Sequence, residues 1–281
     1  MKAHALSVVR WGNREVLYPP EKIGVGNLFY VWMQADRRRA RGEDVVVRTS
    51  EASEPWREWF PELFNELIVD DSQIRFTDRR LVNHYYQEFG VNYTPEDLSR
   101  FIDTFVLPSG GRLRKLVDEH ASPKRFVLNV RRGDYYSVEK FRHLYAFDIA
   151  EYVRAAVVEA SEAAPIDEIF IVSDNVEWCR AELQFLTDYA DVAYVDPELG
   201  PAEHLAILAG SPRLILANST FSYWGGYLSN RYYADNAEVR PSDVVVPIFH
   251  SRLMEDSSSY HLDPRWTVIR DLAGGWEPPA A

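Results

Sequence analysis

From residue 126 onward, short apolar segments alternate with longer amphipathic ones, and that rhythm limits the fold more than any other feature. "FVLNV" (126–130), "EIFIVSD" (168–174), "VAYVD" (192–196), "RLILA" (213–217) and "DVVVPI" (243–248) read as strands. Between them "YAFDIAEYVRAAVVEAS" (145–161), "VEWCRAELQFL" (176–186), "AEHLAILAG" (202–210) and "TFSYWGGYLSN" (220–230) read as helices. The strands are β-branched and do not alternate apolar with polar, so both of their faces are covered, as in parallel sheets. Strand–helix repetition then predicts an α/β chain with a doubly wound parallel sheet, its last strand at 243–248.

The first part carries the same signal more weakly. "ALSVVRW" (5–11) and "DVVVRT" (44–49) read as strands. "GNLFYVWMQADRRRARG" (26–42) reads as a helix, with Leu28, Phe29, Trp32 and Ala35 at helical spacing and a basic end that suits the dipole. "EPWREWFPELFNELIV" (54–69) is an aromatic helical segment broken near Pro61. The stretch 70–110 is irregular, "LPSGGRLRKLVDEH" (107–120) enters a helix, and "ASPK" (121–124) is a connector. This predicts two Rossmann-like halves facing one cleft: residues 1–120, and residues 121–281 with a final segment free to pack back on the first half.

Composition excludes several classes. With 281 residues the core is large, and the single cysteine, Cys179, allows no internal disulfide. A net charge of −12 opposes an extended nucleic-acid surface. No run of ~20 apolar residues offers a membrane span, and the opening does not read as a secretory signal. The seven histidines form no pair at metal-ligand spacing, and no Asp-x-Asp occurs. Ser, His and Asp are present, but a Gly-x-Ser-x-Gly elbow is not.

In open α/β sheets ligands bind beyond the carboxyl ends of the strands. Arg131-Arg132-Gly133-Asp134, Ser173-Asp174-Asn175 and Asn218-Ser219-Thr220-Phe221-Ser222 follow strands there, and Gly24-Val25-Gly26-Asn27 opens a helix. Two guanidinium groups, hydroxyls, a carboxylate and free helix N–H groups suit a sugar nucleotide. Plainer readings stand beside this one. Gly24-x-Gly26 is also a tight turn, Asp174 or Ser219–Thr220 also cap helices, and Phe221, Trp224 and Tyr227 are also core. The arginine pair resists the plain reading, since two adjacent arginines leaving an apolar strand need anionic partners, and Asp134 serves one of them.

These segments resemble, in order, the motifs of the α-1,2-fucosyltransferases of glycosyltransferase family eleven. The matching stretches are "GVGNLFYVWMQA" (24–35), "NVRRGDYYS" (129–137), "IFIVSDNVEWCRAEL" (169–183), "LILANSTFSYWGGYLS" (214–229) and "DPRWTVI" (263–269). The likeness covers about residues 24–269 and is poor over 44–120.

The resemblance implies a GT-B fold and an inverting transfer of L-fucose from GDP-β-L-fucose to an acceptor hydroxyl, usually a galactoside 2-hydroxyl. It implies no cofactor or metal. The first half is expected on the acceptor side and the second on the donor side. Arg131 is implied as the catalytic charge on the leaving diphosphate. Donor binding falls to Gly24, Gly26, Asn27, Asn129, Arg131, Arg132, Asp174, Ser219, Thr220, Phe221 and Ser222, with Asp174 at a guanine-binding position and Asp134 orienting the arginines. Asn129 stands where the family's first motif has His. Another nucleotide sugar is therefore the nearer alternative, and a non-catalytic nucleotide-sugar binder the more distant one. A glycan or small glycoside is the expected acceptor. A bacterial cytoplasmic setting is expected, peripheral to the inner membrane if the acceptor is lipid-linked. His84, Asp70 and Asp71 are candidate bases in the poorly matched stretch, where the plainer reading is a surface position.

Overall fold

The computed structural model describes residues 14–82 and 84–277. The expected strand 5–11 lies outside the described residues. The chain divides between Lys115 and Leu116 into two compact units. The division falls inside the helix Arg112–His120, where the sequence placed a boundary after residue 120.

The first unit contains β1 (Glu15–Tyr18), α1 (Val25–Ala40), β2 (Val45–Arg48), α2 (Pro61–Glu66), β3 (Ile68–Val69), β4 (Arg79–Val82) and α3 (Pro95–Phe101). Its four strands run in the order β3-β2-β1-β4, all parallel. α1 buries Leu28, Phe29, Trp32 and Ala35, and also Tyr30, Val31 and Met33. A helix apolar nearly all round must be covered on more than one side. Phe29 and Trp32 meet Phe60 of the aromatic segment, and Tyr30 meets Tyr93. That aromatic segment is not one kinked helix: it is a 3-10 turn (Glu54–Trp56), then α2, then β3. Pro61 opens α2 at its first turn, where a missing N–H costs nothing. The stretch 70–110 holds β4 and α3, and α3 runs on into a π-helical turn, Ile102–Val106.

The second unit begins within α4 (Arg112–His120) and continues with β5 (Phe126–Val130), α5 (Gly133–Ser137), α6 (Glu139–Tyr145), α7 (Ile149–Ala163), β6 (Glu168–Ser173), α8 (Val176–Glu182), β7 (Asp191–Tyr194), α9 (Pro201–Ala209), β8 (Arg213–Ile215), α10 (Thr220–Tyr232), β9 (Val244–Pro247) and β10 (Thr267–Ile269). The six strands lie in the order β10-β9-β8-β5-β6-β7, again all parallel. All five residues of central β5 are buried, as an apolar run without alternation requires.

Two expectations are corrected here. α7 starts at Ile149 rather than at 145, because the Asp148 carboxylate accepts the Glu151 N–H at 3.0 Å and caps it there. Strand β9 is not the last, since β10 pairs beside it. In the closing segment, Trp276 lies against Phe147 and Phe249.

Helix α10 packs closely on its neighbours because it carries two glycines. A Cβ on Gly225 would sit 2.7 Å from Leu208, and one on Gly226 would sit 2.8 Å from Trp266. Trp224 and Tyr227 of the same helix are buried, so these two aromatics are core. Each unit is thus a parallel α/β sheet, the Rossmann-like architecture that the strand–helix rhythm predicts.

Candidate functional site

The site is built at the carboxyl ends of β5, β6 and β8 in the second unit. These strands are neighbours, so Arg131, Asp174 and Asn218 leave the sheet side by side. Gly24–Asn27 belongs to the first unit, where Gly24 caps α1 and the Asn27 side-chain oxygen accepts a 2.6 Å bond from Gln87.

Arg131 is held by two carboxylates. Its Nη1 lies 2.5 Å from Asp174 Oδ2 and its Nη2 lies 2.6 Å from Asp134 Oδ1. The second oxygen of Asp174 accepts the backbone N–H of Arg132 at 2.8 Å. Asp174 therefore does not cap the next helix; Asn175 does, accepting from Trp178 N–H at 3.0 Å. The turn needs Gly133. Its φ is +25°, and a Cβ there would lie 2.6 Å from Asp174 Oδ2 and 3.1 Å from the Arg131 guanidinium. Arginine carries five N–H donors, so Arg131, 38% exposed at its side chain, keeps three for a ligand.

Arg132 is settled differently. It lies between the rings of Tyr136 and Trp178, 4.2 Å from each centroid, with no carboxylate in ion-pair range among the described residues. Cation–π contact replaces the missing counter-charge. Burial pushes its pKa down from the usual range, and its Nε is buried with no hydrogen-bond partner. Tyr136 is fixed by a 2.8 Å bond from its hydroxyl to the Phe147 carbonyl, and burial raises its pKa to about 12.

Asn129 and Ser222 face inward. The Asn129 amide donates to the Val172 carbonyl at 3.1 Å, and its oxygen accepts from the Ser222 hydroxyl at 2.5 Å. Ser222 Oγ also meets Ser219 Oγ at 3.0 Å, and Ser219 caps α10 by accepting the Ser222 N–H. These three side chains join β5, β6 and the start of α10. Among the expected donor residues of this segment, Thr220 and Phe221 are partly exposed, whereas Ser219, Ser222 and Asn129 are buried.

Asn218 stands among the residues expected beyond the strand ends, and one further group, His204, went unnoticed in the sequence. Asn218 donates to the carbonyls of Tyr145 (2.9 Å) and His250 (3.0 Å). His204, on α9, has a buried Nε2 without a partner; burial lowers its pKa, while the charge of Asp174 opposes that shift. It therefore offers a neutral imidazole. Neither signal is visible in a chain read by spacing alone, because both depend on burial.

In the first unit, Asp71 is bound by Arg48 at 2.6 and 2.8 Å, which holds its carboxyl below the usual range. Asp70 lies 3.4 Å from Arg57, and His84 is exposed and stacks on Tyr86. No helix among the described residues is long and apolar enough to cross a membrane, and no group of three or more His, Cys, Asp or Glu there is placed to hold a metal.

Comparison with known proteins gives a family. The model of a family described as "Glycosyl transferase family 11" matches residues 69–243. The galactoside alpha-(1,2)-fucosyltransferase 1 of Leontocebus fuscicollis is 27% identical over 248 residues, 83% of this chain and 63% of that protein. The protein of the same name from Plecturocebus brunneus is 28% identical over 198 residues, 66% of this chain and 52% of that protein. The chain thus spans less than two thirds of the length of these relatives. Among solved structures, E. coli ADP-heptose LPS heptosyltransferase II aligns at a TM-score of 0.49 and 10% identity, covering 94% of this chain and 93% of that one.

Proposed function

Because the chain belongs to glycosyl transferase family 11, we propose that it is a glycosyltransferase that moves L-fucose from GDP-β-L-fucose to a glycan or glycoside hydroxyl, with a galactoside 2-hydroxyl as the leading acceptor. The reading rests on one observation above all: Arg131, at the carboxyl end of β5, is fixed by Asp134 and Asp174 and still has donors to spare.

Breaking the sugar–phosphate bond leaves negative charge on a diphosphate. Donors fixed before the reaction stabilise that charge without reorganising. Arg131 meets this need, since two carboxylates hold its terminal nitrogens and leave N–H groups for phosphate oxygens. The start of α10 supplies free backbone N–H groups beside the partly exposed Thr220 and Phe221. Inversion asks for an acceptor hydroxyl opposite the leaving group, which the first unit is proposed to bring. We further propose that no metal takes part, the arginine charge serving in its place.

An acceptor panel with GDP-fucose, read by mass spectrometry with and without chelator, tests this. Transfer to a galactoside that survives chelator is the expected result; activity lost to chelator overturns the metal-free mechanism. A second reading, transfer of another sugar, draws on the inward engagement of Asn129 and the neutral His204. Calorimetry with GDP, UDP and dTDP separates the two, and tighter binding of UDP or dTDP would sink the GDP assignment.

A further inference from the structure

Arg131 touches more than its two carboxylates. Its guanidinium carbon lies 5.5 Å from the centroid of the Tyr135 ring. Tyr135 in turn stacks flat on Tyr145, with centroids 4.3 Å apart and planes 13° from parallel. Tyr145 meets the His250 ring edge-on at 6.0 Å and 85°. His250 is buried; its Nδ1 lies 3.0 Å from the Tyr223 hydroxyl, and its ring lies 4.5 Å from that of His261.

The far end of this stack is tied down by backbone. One amide nitrogen, Asn218 Nδ2, serves the carbonyls of both Tyr145 and His250. Asn218 and Tyr223 come from the β8–α10 segment, and Arg131 and Tyr135 from the β5–α5 segment. An unbroken line of contacts therefore joins the two segments beneath the arginine.

The line has a physical purpose. Ion pairs fix where the ends of a guanidinium lie, but both carboxylates are partly exposed, at 46% for Asp134 and 26% for Asp174, and solvent weakens their grip. One hydrogen bond from each terminal nitrogen also leaves the plane free to rock. A ring against one face removes this freedom, and a stacked second ring fixes the first. The guanidinium is then held before any ligand arrives.

We propose that the Tyr135–Tyr145 stack, anchored by Asn218 and His250, sets the plane of the Arg131 guanidinium, making Tyr135 and Tyr145 positioning residues for the group that receives the diphosphate. This rests on the proposed role of Arg131 and adds the elements that hold it. The ring of Tyr135 is what matters, so Tyr135→Phe keeps the stack while Tyr135→Leu and Tyr145→Leu break it.

The test is steady-state kinetics with GDP-fucose, normalised to the folded fraction, together with the Arg131 Nε–H signal in ¹⁵N spectra of the unliganded protein. Misplacing a catalytic group slightly lowers kcat on the order of tenfold or more. Expected are that loss in both Leu variants, KM within about twofold of the parent, and a Tyr135→Phe variant within about twofold in both constants. The Arg131 signal should be sharp and distinct in the parent and in Tyr135→Phe, and move to the position of a free arginine in both Leu variants. Leu variants that keep kcat, a Phe variant that loses as much as Leu, or an unmoved Arg131 signal each overturn the proposal. A parent that turns over no GDP-fucose overturns the donor assignment instead, and the Arg131 signal then decides the positioning role alone.

Discussion

Asp174 grips the arginine pair at two points, taking the Arg131 guanidinium on one oxygen at 2.5 Å and the Arg132 backbone N–H on the other at 2.8 Å. The residue implied to touch guanine is the clamp of the turn proposed to receive phosphate. Removing Arg131 therefore has two effects. Arg131→Ala should lower turnover on the order of a hundredfold or more, through loss of charge stabilisation. It also leaves Asp134 and Asp174 without the cation they share, which should cost about 1 kcal/mol at this partly exposed site. Kinetics and chemical denaturation measured on one preparation check both, and a variant that keeps most of its turnover refutes the role given to Arg131.

Gly133 is the most sensitive backbone position of the turn. Ala there must displace the Asp174 carboxylate and strain a left-handed φ. Gly133→Ala should destabilise by roughly 1–3 kcal/mol and weaken GDP binding at least in proportion to the lost clamp. Thermal unfolding and calorimetry read the two losses separately; unchanged GDP affinity would show that the clamp plays no part in binding.

Asn129 departs from the family's histidine, and the structure gives it a scaffold role. Asn129→Leu removes the buried bonds to the Ser222 hydroxyl and the Val172 carbonyl, leaving Ser222 only its contact with Ser219. A cost of about 1–3 kcal/mol is expected in urea unfolding, with an unchanged m-value. A neutral result would mean that water replaces the amide there.

Acid should unfold the second unit through its buried histidines. Burial lowers His250 from 6.5 to about 3, and His261, also buried, falls well below 6.5 with His250 beside it. Both are neutral when folded and gain protons on unfolding. The stability they allow is complete above pH 6.5 and is lost as pH falls toward the folded values. Each contributes a slope of about 1.4 kcal/mol per pH unit below 6.5. Unfolding midpoints measured from pH 7.5 to 4.5 should show this slope, and His261→Phe, which keeps a ring against Tyr260 and Tyr223, should flatten it. A parent whose midpoint holds constant to pH 4.5 contradicts the burial of the pair.

The alternating segments of the second unit were legible because fully buried strands must be apolar and β-branched, and Val127, Ile171 and Val245 announce them. The first unit was less so. β4 is an edge strand of sequence Arg-Arg-Leu-Val, largely exposed, and nothing in its pattern separates it from a loop. The start of α7 was misread because Tyr145 and Phe147 extend the apolar spacing across a cap that only Asp148 marks. At the site, the residues at the strand ends were legible and their pairing was not. Arg131 and Asp174 are 43 residues apart, and only the β5–β6 register, which sets Val130 opposite Ser173, brings them together. The solution for Arg132 was also hidden, because aromatic faces do not announce themselves as counter-charges.

The paired carboxylates around Arg131 carry a consequence for how a donor arrives. Two arginines and two aspartates sum to zero formal charge at the turn, on a chain of net charge −12. Such a surface does not draw an anionic nucleotide from a distance; encounter is left to diffusion against mild repulsion. The association rate of GDP, followed by stopped flow, should then stay flat or rise as salt screens that repulsion, where an electrostatically steered site would slow. Under the proposed function, recognition would begin only at contact, when phosphate oxygens reach the N–H groups that the carboxylates leave free.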